Sequence, residues 1–176
     1  MRREIGQLLV LTALGFTSLP TVALESDASA PIEIAADQLE LDDRQGTAVY
    51  TGGVDMQQGS MHLKAARVDI QRGNNGQVSQ VTAKGGGGER AYLEQKPAPD
   101  QEIVKGWGDT VVYHAAERRV ELIGNAELHQ AGDTFDGAYV EYYLDSRRVQ
   151  ARSAQNGDGS GDGRVRMTLT PRDSSQ

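Results

Sequence analysis

The sequence predicts an all-β fold whose antiparallel strands roll or stack on one another. Three observations carry this. Glycine occupies 21 of 176 positions, about 12% against a typical ~7%. Between the glycines, apolar and polar residues alternate with a period of two, the mark of half-buried strands. A cadence also recurs 72 positions on: LKAARVDI at Leu63–Ile70 returns as FDGAYVEY at Phe135–Tyr142.

The first residues stand apart from that domain. Arg2 and Arg3 precede an apolar run from Ile5 to Leu19, and Thr21-Val22-Ala23 supplies small residues where a signal peptidase reads. This predicts a cleavable secretory signal over 1–23, with Ala28-Ser29-Ala30 as the alternative cleavage site, then a short linker over 24–30. The run is shorter than the roughly 20 residues that span a bilayer. No cysteine sits at the cleavage site, which excludes lipoprotein processing. Cleavage removes Arg2, Arg3 and Glu4, so the formal charge of −7 becomes −8. An acidic exported protein is a poor partner for nucleic acid. With no cysteine anywhere, disulfides, cysteine zinc sites and thiol catalysis are excluded.

Ile32 and Ile34 alternate with Glu33, and Leu39 and Leu41 with Glu40 and Asp42. Each set reads as a strand. Asp42–Gly46 reads as a turn. Val54 and Met56 alternate with Asp55 and Gln57. LKAARVDI alone has helical composition. Its later counterpart holds Gly137, Tyr139, Val140 and Tyr142, a poor helix and a good strand. Both copies are therefore predicted as strands. Each slips phase by one residue at the same place, after Ala65 and after Gly137. A β-bulge or sharp bend does this, so each copy is expected to turn a corner there.

Gly73-Asn74-Asn75-Gly76 is a hairpin signal. Gly85–Gly88 connects predicted strands 78–84 and 90–95. It lacks the Lys-Ser/Thr and the helix of a phosphate loop. Ala115–Arg118 is a turn. Val120 and Leu122, then Ala126 and Leu128, alternate with glutamates. YTGGVDMQQG before the first copy and LIGNAELHQAG before the second share a glycine pattern, so the repeat is a strand–turn–strand unit.

Catalytic chemistry is hard to place. His62, His114 and His129 show no metal-ligand spacing and read as ordinary strand residues. No serine lies in a G-x-S-x-G elbow. Glu40 and Asp42 share a strand face and could imitate a glycosidase pair, but read as a solvated acidic face. Asp158–Gly163 resembles the start of a calcium loop; position 12 would be Leu169 instead of glutamate, so it reads as a turn. The positive signal is a run of inward aliphatic residues, which suits a packed core or an elongated apolar ligand.

PIEIAADQLELDDRQGTAVYTGGVDMQQGSMHLKAARVDI, VKGWGDTVVYHAAERRVELIGNAELHQAGDTFDGAYVEYY with its Gly-Asn-Ala turn at 124–126, and the last strand GRVRMTLTP resemble the OstA-like domain of the LptA family of periplasmic lipopolysaccharide-transport proteins. The similarity covers residues 31–171, leaving 172–176 as a tail. The order of the pieces, the signal peptide and the single-domain size carry its specificity.

The resemblance implies an antiparallel β-jellyroll folded into an open-ended V-shaped trough that takes lipid acyl chains. It implies no catalysis and no cofactor. Copies would stack end to end in the periplasm. Their partners would be an inner-membrane-anchored OstA-like protein and the N-terminal domain of the outer-membrane lipopolysaccharide barrel. Ile32 and Ile34 would face the trough from the first strand, and Leu93 and Tyr113 from central strands. Alternation adds Leu63, Val68, Phe135, Val140 and Tyr142. The strands at Pro31–Ala35 and Arg164–Thr170 are the expected open edges, with Pro31 and Pro171 limiting further pairing. A glycan-binding or glycan-processing exported β-protein and a purely structural adaptor are the alternatives.

Overall fold

The computed structural model describes residues 30–154 and 164–171. The predicted signal peptide, the linker up to Ser29, the Asp158–Gly163 turn and the tail lie outside the described residues. Twelve strands occur among the described residues. They are β1 (Ile32–Ala35), β2 (Gln38–Asp42), β3 (Thr47–Gln58), β4 (Met61–Arg72), β5 (Val78–Lys84) and β6 (Ala91–Gln95), followed by β7 (Val104–Gly108), β8 (Thr110–His114), β9 (Arg119–Gln130), β10 (Asp133–Tyr143), β11 (Arg148–Arg152) and β12 (Arg166–Thr168). The predicted turns at 42–46, 73–76 and 115–118 connect them, and the polyglycine stretch joins β5 to β6.

Four long strands decide the architecture. Residues 47–51 of β3 pair with β2, while residues 55–58 pair with β1. β4 pairs first with β6 and then with β5. β9 passes from β8 to β7, and β10 from β12 to β11. Each long strand therefore belongs to two walls. One wall runs β2, β3, β4, β5, β8, β9, β10, β11. The other runs β1, β3, β4, β6, β7, β9, β10, β12. The walls meet where the long strands change partners, which makes the V.

The corner is a pair of β-bulges, and its position corrects the sequence reading. The extra residue is not on the LKAARVDI strand or its repeat. It lies on the strand before each: Thr51 and Val54 of β3 pair with Arg67 and Ala65 of β4, leaving two residues opposite one. Ile123 and Ala126 of β9 do the same against Tyr139 and Gly137 of β10. Gly124-Asn125-Ala126 is thus a bulge inside one strand, not a turn. Ala66 and Ala138 stand opposite it, and Ala65 and Gly137 pair with Val54 and Ala126 beside it. The bulge residues Gly52 and Gly53 have φ of 83° and 51°, and Gly124 and Asn125 have 73° and 45°. This is left-handed backbone, available to Gly and tolerated by Asn.

The repeat is larger than the sequence reading found. Asp37 donates its backbone N–H to Gly52 O at 3.0 Å, and Asp109 donates to Gly124 O at 2.8 Å. These aspartates are also 72 positions apart. Strand by strand, β7–β12 repeat β1–β6 in order and in pairing. In the β4–β5 hairpin Ile70 faces Val81 and Val68 faces Ala83. In the β10–β11 hairpin Tyr142 faces Val149 and Val140 faces Ala151. QVTAK of β5 therefore corresponds to RVQAR of β11, after a shorter loop. The halves join through β5–β8 and β6–β7.

Candidate apolar trough

Registers through the first wall align its inward side chains in rows. One row is Leu41, Ala48, Ile70, Val81, Tyr113, Val120, Tyr142, Val149. Two residues along each strand runs a second: Leu39, Tyr50, Val68, Ala83, Val111, Leu122, Val140, Ala151. The second wall contributes Ile34, Met56, Leu63, Leu93, Gly106, Leu128, Phe135, Met167. Alternation puts one apolar side chain per strand in each row, and register aligns them.

All nine predicted lining residues lie on this inner surface. Leu63, Val68, Leu93, Tyr113, Val140 and Tyr142 are buried in the core, and Ile32, Ile34 and Phe135 are partly buried against it. The walls are in contact near the corner, where Leu122 of the first wall fills the space left by Gly106 of the second. Away from the corner they part. There Ala30, Ile32 and Gln58 of one wall and Val78, Tyr113 and Ala115 of the other line an open cavity of 540 Å³. That volume is within the ~300–1,000 Å³ typical of small-molecule sites. Within one wall, Gln58 Nε2 donates to Ala30 O at 3.1 Å. Burial pushes the Tyr142 hydroxyl above its ordinary pKa, and it accepts a hydrogen bond from Gln130 Nε2 at 3.1 Å.

The charges are on the outer face, as the alternation requires. Each histidine meets a carboxylate there: His62 lies 2.8 Å from Asp55, His114 3.0 Å from Glu121 and His129 2.7 Å from Glu127. Arg90 donates to Glu127 at 2.8 Å and lies over the Trp107 ring. The Arg90 hydrogen bond holds the Glu127 carboxyl below its usual range, against the opposing effect of burial, with His129 helping. Arg119 donates to Glu117, Glu121 and Glu141. Glu40 and Asp42 stay on the exposed edge strand, where Asp42 Oδ1 accepts from Gln45 N at 3.0 Å. Among the described residues no group of three or more His, Cys, Asp or Glu is placed to hold a metal ion.

The expected edges at Pro31–Ala35 and Arg164–Thr170 are β1 and β12, and among the described residues β2 and β11 are edges as well. Met56, Leu122 and Leu128 join the nine expected residues on this inner surface, in the core. The available signal was the matching aspartates Asp37 and Asp109 and the QVTAK/RVQAR match, which extend the repeat over both halves.

Comparisons with known proteins agree with this geometry. The family model described as LptA/(LptD N-terminal domain) LPS transport protein matches residues 33–148. The chain is 39% identical over 165 residues to lipopolysaccharide export system protein LptH of Pseudomonas aeruginosa, covering 93% of this chain and 91% of that protein. It is 29% identical over 146 residues to the export protein LptA of Escherichia coli, covering 83% and 77%. The crystal structure of the P. aeruginosa LptH, titled the LptA homologous periplasmic component of the lipopolysaccharide transport device, superposes with a TM-score of 0.74 at 38% identity, covering 84% of this chain and 100% of that one.

Proposed function

The chain belongs to the LptA/LptD N-terminal-domain family of lipopolysaccharide transport proteins, and from that membership we propose that it is a non-enzymatic periplasmic carrier that shields the acyl chains of lipopolysaccharide. The observation that carries the reading is the set of apolar rows that cross both walls without a charged side chain, and the cavity at the Ile32–Val78–Tyr113 mouth, whose rim also holds Gln58, Asn75, Gln77 and Ser79. Covering acyl chains is worth about 0.8 kcal/mol per CH₂, so a chain of a dozen carbons needs roughly 10 kcal/mol of apolar cover outside a membrane. Aliphatic rows supply it without a tight polar pocket. The sugar and phosphates stay in water, which reconciles an acidic protein with a phosphorylated lipid.

Loading begins at the mouth, where Ile32 and Tyr113 meet the acyl chain first, with Ile34 and Tyr142 next along their walls. Leu63, Val68, Leu93, Phe135 and Val140 follow as the walls part. Copies join end to end through their edge strands by β-augmentation. The ends of the bridge dock on an inner-membrane-anchored OstA-like partner and on the N-terminal domain of the outer-membrane lipopolysaccharide barrel. The signal peptide is removed on export.

A second reading, a structural adaptor with a permanently filled interior, draws on the Leu122–Gly106 contact. Site-specific photocrosslinking in cells separates the two. A crosslinker at Ile34 is expected to capture lipopolysaccharide, and one at the outward Glu33 is not. Equal labelling at both sites means nonspecific contact. A folded, expressed protein with no adduct at Ile34 returns the filled adaptor.

A further inference from the structure

One inward row of the second wall is not apolar throughout. Two residues farther from the corner than Leu63, Leu93 and Leu128, this wall carries Ile32, Gln58, Met61, Gln95, Val104 and Gln130. Ile32 pairs with Gln58, Gln58 with Met61, and Gln95 with Val104. An amide therefore stands on every second strand, on β3, β6 and β9. Gln58 and Gln95 are only 8% and 2% exposed. Period two puts them where an aliphatic side chain would complete the apolar surface, and burying an amide costs free energy that only hydrogen bonds offset. Across the mouth, the outermost row of the first wall offers the only hydroxyls of that row, on Tyr113 and Tyr142.

The two halves use these groups differently. In the second half the rim closes on itself: Gln130 Nε2 donates to the Tyr142 hydroxyl at 3.1 Å. The counterparts 72 positions earlier are Gln58 and Ile70. Ile70 has no hydroxyl, and Gln58 Nε2 donates within its own wall to Ala30 O at 3.1 Å. The mouth cavity opens beside Gln58. Asn75, Gln77, Ser79 and Tyr113 share its lining with Ile32 and Val78, and no charged side chain joins them.

We infer that this neutral rim recognises the head of the acyl chain, the amide or ester carbonyl and neighbouring hydroxyl through which the chain joins its sugar, with Gln58 as the central contact. A primary amide donates to a carbonyl and accepts from a hydroxyl. The rim sits at the level where the apolar rows end and water begins. It thereby sets the depth of the lipid: methylenes lie below Gln58, against Ile34 and Tyr113, and the sugar stays above. A carboxylate or phosphate drawn to the same level would lose water and meet no cation in the cavity lining. A plain alkyl chain would fill the floor and leave the rim amides without the bonds the acyl head supplies.

The inference rests on the carrier reading and adds the chemical group that the mouth selects. The test uses the full chain with a photocrosslinker at Ile34 and reads displacement of the lipopolysaccharide adduct. The competitors are three amphiphiles of equal chain length: glucosamine N-acylated with 3-hydroxydodecanoate, dodecyl glucoside and dodecanoate. The hydroxyacyl amide is expected to displace at about five- to tenfold lower concentration than the other two, the worth of one or two hydrogen bonds. Gln58→Leu, which keeps the volume and removes the amide, is expected to bring the three within about twofold. Gln77→Ala, at an exposed position of the lining, is expected to lower the advantage in part, and it decides the matter if thermal unfolding shows that Gln58→Leu does not fold. Equal displacement by all three in the parent, or an undiminished advantage in the folded variants, overturns the rim and keeps the carrier reading. A folded parent with no lipopolysaccharide adduct at Ile34 overturns both.

Discussion

Gly106 and Leu122 touch across the trough: a Cβ on Gly106 would meet Leu122 Cδ2 at 3.0 Å and Cδ1 at 3.1 Å. The two residues belong to different walls, β7 and β9, so this contact sets how closely the walls approach near the corner. Gly106→Val is expected to destabilise the fold by about 2 kcal/mol through overpacking. Urea unfolding followed by the single tryptophan, Trp107, measures it. Adding Leu122→Ala makes room, so the cycle should show recovery of part of the loss instead of two independent penalties.

The bulge separates two adjacent glycines. Gly52 has φ of 83° and no room for a Cβ against the Asp37 carboxylate; Gly53 has φ of 51° and nothing within 4 Å. The counterpart of Gly53 is already Asn125 at φ 45°. Gly52→Ala should therefore cost about 1–3 kcal/mol, whereas Gly53→Asn should stay within about 0.5 kcal/mol of the parent. Thermal unfolding of the two variants side by side decides it; equal losses would mean the repeat is not structurally equivalent at the bulge.

Arg119 holds the acidic outer face of β8–β10 together. Its Nε lies 2.7 Å from Glu117, Nη1 lies 3.0 Å from Glu141, and Glu121 completes the set. The Glu141 side chain is only 8% exposed. Arg119→Met leaves that carboxylate to the more distant Arg152 at 3.8 Å and to the Tyr143 hydroxyl at 3.0 Å, and should cost about 3 kcal/mol. Glu141→Gln in the same chain should recover much of it, which denaturant midpoints at equal slope would reveal.

Arg90 makes part of the stability depend on pH. Its hydrogen bond holds Glu127 below the ordinary carboxylate value of 4.5. A carboxyl whose pKa is lower folded than unfolded contributes fully above the unfolded value and loses that contribution as pH falls through the folded one. The parent should thus exceed Arg90→Ala in stability at pH 7, and the gap should narrow as pH falls below the ordinary value of 4.5. Unfolding midpoints from pH 7 to pH 3 measure the gap; a constant difference would assign the Arg90 effect to its pH-independent contacts, the hydrogen bond to Asn125 O and the packing over Trp107.

Strands, turns and inward residues were legible in the sequence because they are local. Period two sorts Ile32 from Glu33 and Val120 from Glu121 whatever the partner strand. The bulge was half legible. The phase slip showed on the LKAARVDI strand, but a slip is a relation between two strands, and only pairing reveals which one holds the extra residue. That is why Gly124-Asn125 read as a turn and Ala65 as the bend.

By itself the sequence determined the all-β class, the inward faces, the repeat at 72 positions and the family resemblance. These follow from residue spacing, which survives without knowing the fold. Only the tertiary structure decided that each long strand serves two walls and that Leu122 seats on Gly106. It also decided that Leu41 and Leu39 each end a row whose later members are covered. Exposure at an edge depends on which strand is missing beside it, and no property of Leu39 or its neighbours in the chain encodes that.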